Sequence, residues 1–170
     1  MSMEIEFTDN SAAILTELEA KRIVALEMIG LQAESHTKNN IRAAGRVDTG
    51  YYRNSITHLV KAEEGTVYVG SNLEYAIYNE LGTGRYASNG QGRKGFWVYV
   101  KGPKQVPLSD SKKTVKNYTL AQAKRIMALL RAKGLDAHVT DGLKPTHALQ
   151  NAVEKNIPEY RAMIATVMKK

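Results

Sequence analysis

Three short motifs stand in a fixed order along this chain. They are Arg46-Val47-Asp48-Thr49-Gly50, then Tyr75-Ala76-Ile77-Tyr78-Asn79-Glu80-Leu81-Gly82-Thr83-Gly84, then Gly142-Leu143-Lys144-Pro145 just before a last helical stretch. The glycines and the proline punctuate the backbone, so they fix where one regular element must stop and the next begin. The chain is thereby divided into a helical start, a β-rich middle and a helical end. No catalytic constellation accompanies the motifs, which is the pattern of a scaffold fitted to a partner rather than of an enzyme built around a pocket.

The opening segment carries helical periodicity. Asp9-Asn10-Ser11 offers short polar side chains that can cap free backbone N–H groups. Leu15, Leu18, Leu26, Ile29 and Ala33 then recur at helical spacing, with Arg22 interrupting the stripe. The spacing predicts one long helix over residues 11–43, ended by Gly45. Asp48, Thr49 and Gly50 read as a structural turn, with Asp48 accepting N–H bonds and Gly50 supplying a positive φ. Tyr51–Lys61 reads as a strand. Glu64-Gly65 is a tight turn, and Thr66–Gly70 returns antiparallel as a hairpin. Leu73–Leu81 is a short helix or turn, closed by Gly82 and Gly84.

Arg85–Lys94 is polar and glycine-rich, and is expected to be a mobile loop. Phe96–Val100 is a strand stopped by Gly102-Pro103. Pro107–Lys116 is lysine-rich and linker-like. Thr119 caps a helix over 119–133 with a stripe of Leu120, Ala123, Ile126, Met127 and Leu130. Gly134 stops that helix at a left-handed position, and Ala137–Thr140 is one strand. The 101–141 segment is therefore a helix–strand insertion that extends the sheet or covers its face. After Pro145, a final helix runs over 146–168, with Pro158 in the first turn of its continuation. No internal repeat or low-complexity tract is present. The expectation is a single α+β domain over 1–170.

Composition narrows the function classes. The 170 residues are 43% hydrophobic, ample for a core. With no cysteine, there is no disulfide framework, thiolate zinc site or Cys nucleophile. No signal sequence precedes a cleavage site, and no apolar run approaches the roughly 20 residues of a membrane helix. A soluble intracellular protein without membrane contact is expected. The net charge of +7 points to a polyanion or an acidic protein partner. Between Arg85 and Lys116 stand Arg85, Arg93, Lys94, Lys101, Lys104, Lys112, Lys113 and Lys116, against the single acid Asp110. That cluster is either a solvated loop or a contact for DNA phosphates or an acidic protein surface. Trp97, Tyr99 and Tyr86 beside it read as sheet-packing residues more than as base-stacking ones.

Other motifs dissolve on inspection. Gly90-Gln91-Gly92-Arg93-Lys94-Gly95 has the letters of a dinucleotide fingerprint, but it precedes a strand instead of following one. Phe96 occupies the position of the lysine in a phosphate-binding loop. His36, His58, His138 and His147 lack zinc-site spacing. Nothing in sequence brings Asp48 and Glu80 together as an acid–base pair, and Ser71 lacks a nucleophile elbow. Asn117-Tyr118-Thr119 is a glycosylation sequon only by its letters. No cofactor, metal or catalytic residue is assigned.

A resemblance emerges from the ordered set. Val47-Asp48-Thr49-Gly50 with Arg53-Asn54-Ser55-Ile56, Val69-Gly70-Ser71-Asn72 with Tyr75-Ala76, Glu80-Leu81-Gly82-Thr83-Gly84, Gly95-Phe96-Trp97-Val98-Tyr99, and Lys144-Pro145 before a last helix belong to it. Together they resemble the HK-ninety-seven-like tail-component family of long-tailed bacteriophages, over about residues 43–153. The chain departs from the family pattern at the 101–141 insert, and at His147-Ala148-Leu149 where a phenylalanine would stand.

The resemblance implies a twisted antiparallel sheet packed against the long N-terminal helix and the C-terminal helix. It implies a structural morphogenesis protein at the head–tail junction or portal-proximal end of a phage or prophage tail. Such a protein works as a ring, commonly a hexamer, beside neighbouring connector or tail proteins. It would reside in the bacterial host cytoplasm during assembly and then in the virion. In that setting Arg85, Tyr86, Asn89, Gly90, Gly92, Arg93 and Lys94 are the candidate assembly loop, reaching an adjacent subunit or the next ring, with DNA in the channel as second choice. Asp48, Thr49, Gly50, Gly82, Gly84 and Pro145 are structural turns. A basic nucleic-acid-binding module is the alternative function, and an enzyme the third.

Overall fold

A computed structural model describes residues 9–102 and 117–169. The order is α1 (Ser11–Ala43), α2 (Tyr51–Asn54), β1 (Ile56–Lys61), β2 (Thr66–Ser71), α3 (Ala76–Leu81), β3 (Trp97–Val100), α4 (Leu120–Ala132), β4 (Ala137–Thr140), α5 (Ala148–Glu154) and α6 (Ile157–Lys169). A 3-10 turn, Gly84–Tyr86, lies between α3 and β3. The protein is α+β, with a long N-terminal helix, helices at the C-terminal end, and two small antiparallel sheets. The chain gathers into two compact units, one holding the residues through Leu73 and from Ala148 onward, the other Glu74–His147.

In the first unit α1 is the spine, about 50 Å long at 1.5 Å per residue. It ends in a Schellman motif. Gly45 at φ 65° lets its own N–H reach the Arg42 carbonyl and the Arg46 N–H reach the Ile41 carbonyl. α1 packs against α5, α6 and the β1–β2 hairpin. The hairpin pairs Ile56 with Ser71 through Lys61 with Thr66, and its turn carries Gly65 at φ 61°. The core is built of small residues: Ala25, Ala33, Ala148 and Ala152 are buried with Ile41, Tyr52, Ile56 and Tyr160. Buried Thr37 satisfies its hydroxyl by donating to the Ala33 carbonyl at 2.7 Å.

The expected strand over Tyr51–Lys61 needs correction: Tyr51–Asn54 is a helical turn, and the strand starts at Ile56. Gly50 at φ 81° reverses the chain, and the Asn54 and Ser55 N–H groups close back onto the Gly50 and Tyr51 carbonyls. Thr49, rather than the expected Asp48, supplies a side-chain acceptor at this turn: its Oγ1 accepts from Tyr51 N–H at 3.3 Å. The last helix is likewise two. Asn156 donates to the Ala152 carbonyl at 2.8 Å, and α6 restarts at Ile157 with Pro158 in its first turn.

In the second unit β3 and β4 pair antiparallel, Trp97 with Thr140 through Val100 with Ala137, and α4 packs on them. The insertion thus supplies β4 as the partner of the aromatic strand. Each unit has its own two-stranded sheet, where the expectation had one sheet. Phe96 falls outside β3 and forms a single bridge to Tyr118. Thr119 caps α4 through a capping box with Gln122. Gly134 at φ 78° closes α4 in a second Schellman motif, with Leu135 N–H bonded to the Leu130 carbonyl. Pro107–Lys116, with Lys104, Asp110, Lys112, Lys113 and Lys116 of the basic cluster, lies outside the described residues.

Candidate functional site

Two of the three ordered motifs are one physical object. In the second unit Thr83 N–H donates to the Leu143 carbonyl at 2.8 Å, and Leu143 N–H returns to Thr83 Oγ1 at 3.0 Å. Arg85 N–H donates to the Asp141 carbonyl at 3.0 Å, and Thr146 N–H to the Asn79 carbonyl at 2.9 Å. The Glu80–Gly84 motif and the Gly142–Pro145 motif are therefore clasped backbone to backbone.

Glycine is required because the chains run so close. A Cβ on Gly82, at φ 76°, would lie 2.8 Å from the carbonyl oxygens of Leu143 and Tyr86 and 2.9 Å from Pro145 Cδ. One on Gly84, at φ 60°, would lie 2.7 Å from the Trp97 ring and would collide with the Asp141 carbonyl. Gly82 and Gly84 thus leave no room for a side chain where the two motifs meet, and Pro145 packs against Gly82.

The basic glycine-rich segment grows out of this clasp. The Arg85 guanidinium pairs with Asp141 at 3.0 Å, and the Tyr86 hydroxyl reaches the same carboxylate at 3.4 Å. The Asp141 hydrogen bond raises the pKa of Arg85. The Tyr86 ring has Arg85 and Lys144 each 5.7 Å from its centroid. Ser88 N–H and hydroxyl both donate to the Leu81 carbonyl, at 2.9 Å. Asn89 Oδ1 accepts from Gln91 N–H at 3.1 Å, which tightens the tip. Gly92 packs against the Gly84 carbonyl so closely that a Cβ would overlap it, and Arg93 lies 5.0 Å from the Trp97 ring centroid.

The segment is held at its start by hydrogen bonds from Arg85, Tyr86 and Ser88, and at its far end by the packing of Gly92 and the Arg93–Trp97 contact. Ser88–Gln91 and Lys94 are exposed, with open space around Gly90. Of the seven candidate loop residues, Asn89, Gly90 and Lys94 face solvent, Arg85 is exposed while paired with Asp141, and Tyr86, Gly92 and Arg93 are half-buried in the loop.

Asp48 lies in the first unit and Glu80 in the second. Among the described residues no group of three or more His, Asp or Glu side chains is placed to hold a metal ion, and no helix is long and apolar enough to cross a membrane. His58, one of the four histidines without zinc-site spacing, is bonded through both ring nitrogens. Its Nδ1 lies 2.8 Å from Glu34 Oε2 and its Nε2 3.2 Å from Glu27 Oε2. Lys38 holds the other Glu34 oxygen. The Glu34 hydrogen bond, working against burial and aided by Glu27, raises the His58 pKa above 6.5. Burial of Glu34 is outweighed by Lys38 and His58, so its pKa is lowered from 4.5. This is a structural junction between α1 and β1.

Sequence reasoning also missed how bare α1 is at its start. Every residue from Ser11 to Ala20 is exposed, and Ile14, Leu15 and Leu18 are 55%, 62% and 43% accessible. Beside this stretch a groove of about 400 Å³ runs between α1 and α6, lined by Ala20, Val24, Met28, Val167, Thr166 and the Glu17–Lys21 ion pair. No family model, curated protein or solved structure matches the chain.

Proposed function

We propose that this protein is a structural component of a tailed-phage virion, acting at the head–tail junction or portal-proximal end of the tail and working as a ring. The ordered motifs that resemble the HK-ninety-seven-like tail components supply the class. The observation that carries the assembly role is the unburied apolar start of α1. A helix that leaves Ile14, Leu15 and Leu18 in water loses the burial that normally stabilises an amphipathic helix.

A second copy supplies the missing cover. The 9–20 stretch holds Asp9, Glu17 and Glu19 and no cation, while α6, which lines the apolar groove through Thr166 and Val167, carries Arg161 and Lys169 along its length. The exposed Ile14, Leu15 and Leu18 lie outside the groove's lining, although Glu17 and Ala20 of the same stretch belong to it, so the donor face and the receiving groove are different surfaces. A contact between different surfaces is heterologous, and heterologous contacts close into rings. Neighbouring connector or tail proteins would stack on that ring.

The test is solution mass by light scattering over a range of concentrations, with electron microscopy of the largest species. The wild-type chain should form closed rings. Ile14→Asp/Leu18→Asp should retain the helical circular-dichroism spectrum and run as a monomer. Rings that form equally well with both aspartates in place would remove the helix start from the interface. A wild-type chain that stays monomeric both alone and with purified connector complexes would overturn the ring reading.

A further inference from the structure

A second basic site, separate from the glycine-rich loop, lies in the first unit. The last turns of α1 and the short helix α2 enclose a cleft of about 390 Å³. Lys38 and Arg42, one helical turn apart on α1, form one wall, and Arg53 on α2 forms part of the other. The cleft exists because Gly45 and Gly50 both adopt positive φ, turning the chain twice between the two helices and bringing Arg53 back beside Arg42.

Lys38 is paired with Glu34, but the two arginine charges are not neutralised in place. Arg42 Nη2 donates to Asn39 Oδ1 at 3.1 Å, and Arg53 donates through Nε and Nη2 to Asn54 Oδ1 at 3.3 and 3.2 Å. Both acceptors are neutral amides. Among the described residues neither guanidinium has a carboxylate within ion-pair distance. The one acid lining the cleft, Glu34, spends one oxygen on Lys38 and the other on His58.

The asparagines matter twice. With Oδ1 accepting from an arginine, each amide retains its Nδ2–H₂ group as a donor. The cleft therefore presents fixed guanidinium forks and amide donors, and it has no apolar side chain in its lining. A peptide segment would find no apolar anchor there. A sugar–phosphate strand needs only donors and positive charge, and Arg forks match phosphate oxygens bidentately.

We infer that the Lys38–Arg42–Arg53 cleft binds the phosphodiester backbone of DNA. The contact carries no base readout, since the guanidinium groups of Arg42 and Arg53 would meet phosphate oxygens. The inference stands apart from ring assembly: the cleft is built by the C-terminal end of α1 and by α2, whereas the helix start and the α1–α6 groove carry the proposed subunit contact.

The experiment is fluorescence anisotropy of a short labelled DNA duplex titrated with the full chain at several salt concentrations. Arg42→Ala/Arg53→Ala should weaken binding about tenfold and reduce the slope of log affinity against log salt by about two, one for each lost phosphate contact. Arg93→Ala/Lys94→Ala removes the same charge from the glycine-rich loop and should leave most of the slope. Arg42→Lys/Arg53→Lys keeps the charge and should restore the slope with only part of the affinity. A thermal melt of each variant confirms that it is folded.

An unchanged slope in Arg42→Ala/Arg53→Ala overturns the inference, as does equal loss in the loop variant or failure of the wild type to bind DNA at low salt. Displacement of DNA by inorganic phosphate at equal phosphate concentration would make this a free-anion site and would also overturn it. Displacement by polyglutamate at equal charge would reassign the cleft to an acidic protein. Ile14→Asp/Leu18→Asp should bind DNA with unchanged slope per chain, so either reading can fail while the other stands.

Discussion

At the scale of single residues, Gly30 repays attention. A glycine in a helix interior costs about 1 kcal/mol relative to alanine, and α1 carries one at its middle. Its neighbours give the reason. A Cβ there would lie 3.0 Å from Val67 Cγ2 and would run into the His58 ring, so the missing side chain is the seat on which the hairpin rests. Gly30→Ala should therefore destabilise the protein by about 1–3 kcal/mol, the size of an overpacking strain, where an exposed helix site would gain stability. Chemical denaturation followed by circular dichroism measures this directly, and a midpoint shifted upward would show that the hairpin yields without cost. Nothing in the sequence marks Gly30, because the residues it accommodates, His58 and Val67, lie far along the chain. Gly45, Gly82 and Gly134 were legible, since each sits just where a periodic pattern stops.

Among the elements, α1 was legible from Ser11 to Ala43 because helical periodicity and a terminal glycine agree. Tyr51–Asn54 was misread because aromatic residues favour strands in general, while the Gly50 turn directs this tetrapeptide into a helical turn. The basic cleft was not anticipated, since Arg42 and Arg53 meet only through the two turns between them; the Lys38–Arg42 spacing on one helix face was the available signal.

The seam between α1 and β1 makes a further prediction. His58 faces Glu27 and Glu34 from α1, and Lys38 is also near through Glu34; Val67 comes from β2. Because the folded His58 pKa is raised, its contribution to stability is complete below 6.5 and fades as pH rises through the folded value. Because that of Glu34 is lowered, its contribution is present above 4.5 and fades as pH falls through the folded value. The seam is thus strongest between about 4.5 and 6.5. The melting temperature should decline as pH rises from 6 to 8, and His58→Gln should flatten that decline. An equal slope in both proteins would show that the seam does not set the pH response.

The whole molecule couples a net charge of +7 with an exposed apolar helix start, and these two properties respond to salt in opposite directions. Copies of a positively charged chain repel one another. Added salt screens that repulsion over a Debye length that falls from about 10 Å at 0.1 M to about 3 Å at 1 M. Apolar burial between copies survives this change and is strengthened by strongly excluded salts such as sulfate. Phosphate binding behaves otherwise, because each neutralised phosphate releases a counterion and affinity falls with a slope near −0.9 per contact. Raising sodium chloride from about 0.1 to about 0.5 M, a range in which screening is already short, should preserve or increase the ring fraction in sedimentation velocity while abolishing DNA binding by the same sample. If the rings instead dissolve along with the DNA complex, subunits are held by charge. The Asp9–Glu19 stretch against Arg161 and Lys169 would then be the dominant contact, with Ile14 and Leu18 secondary.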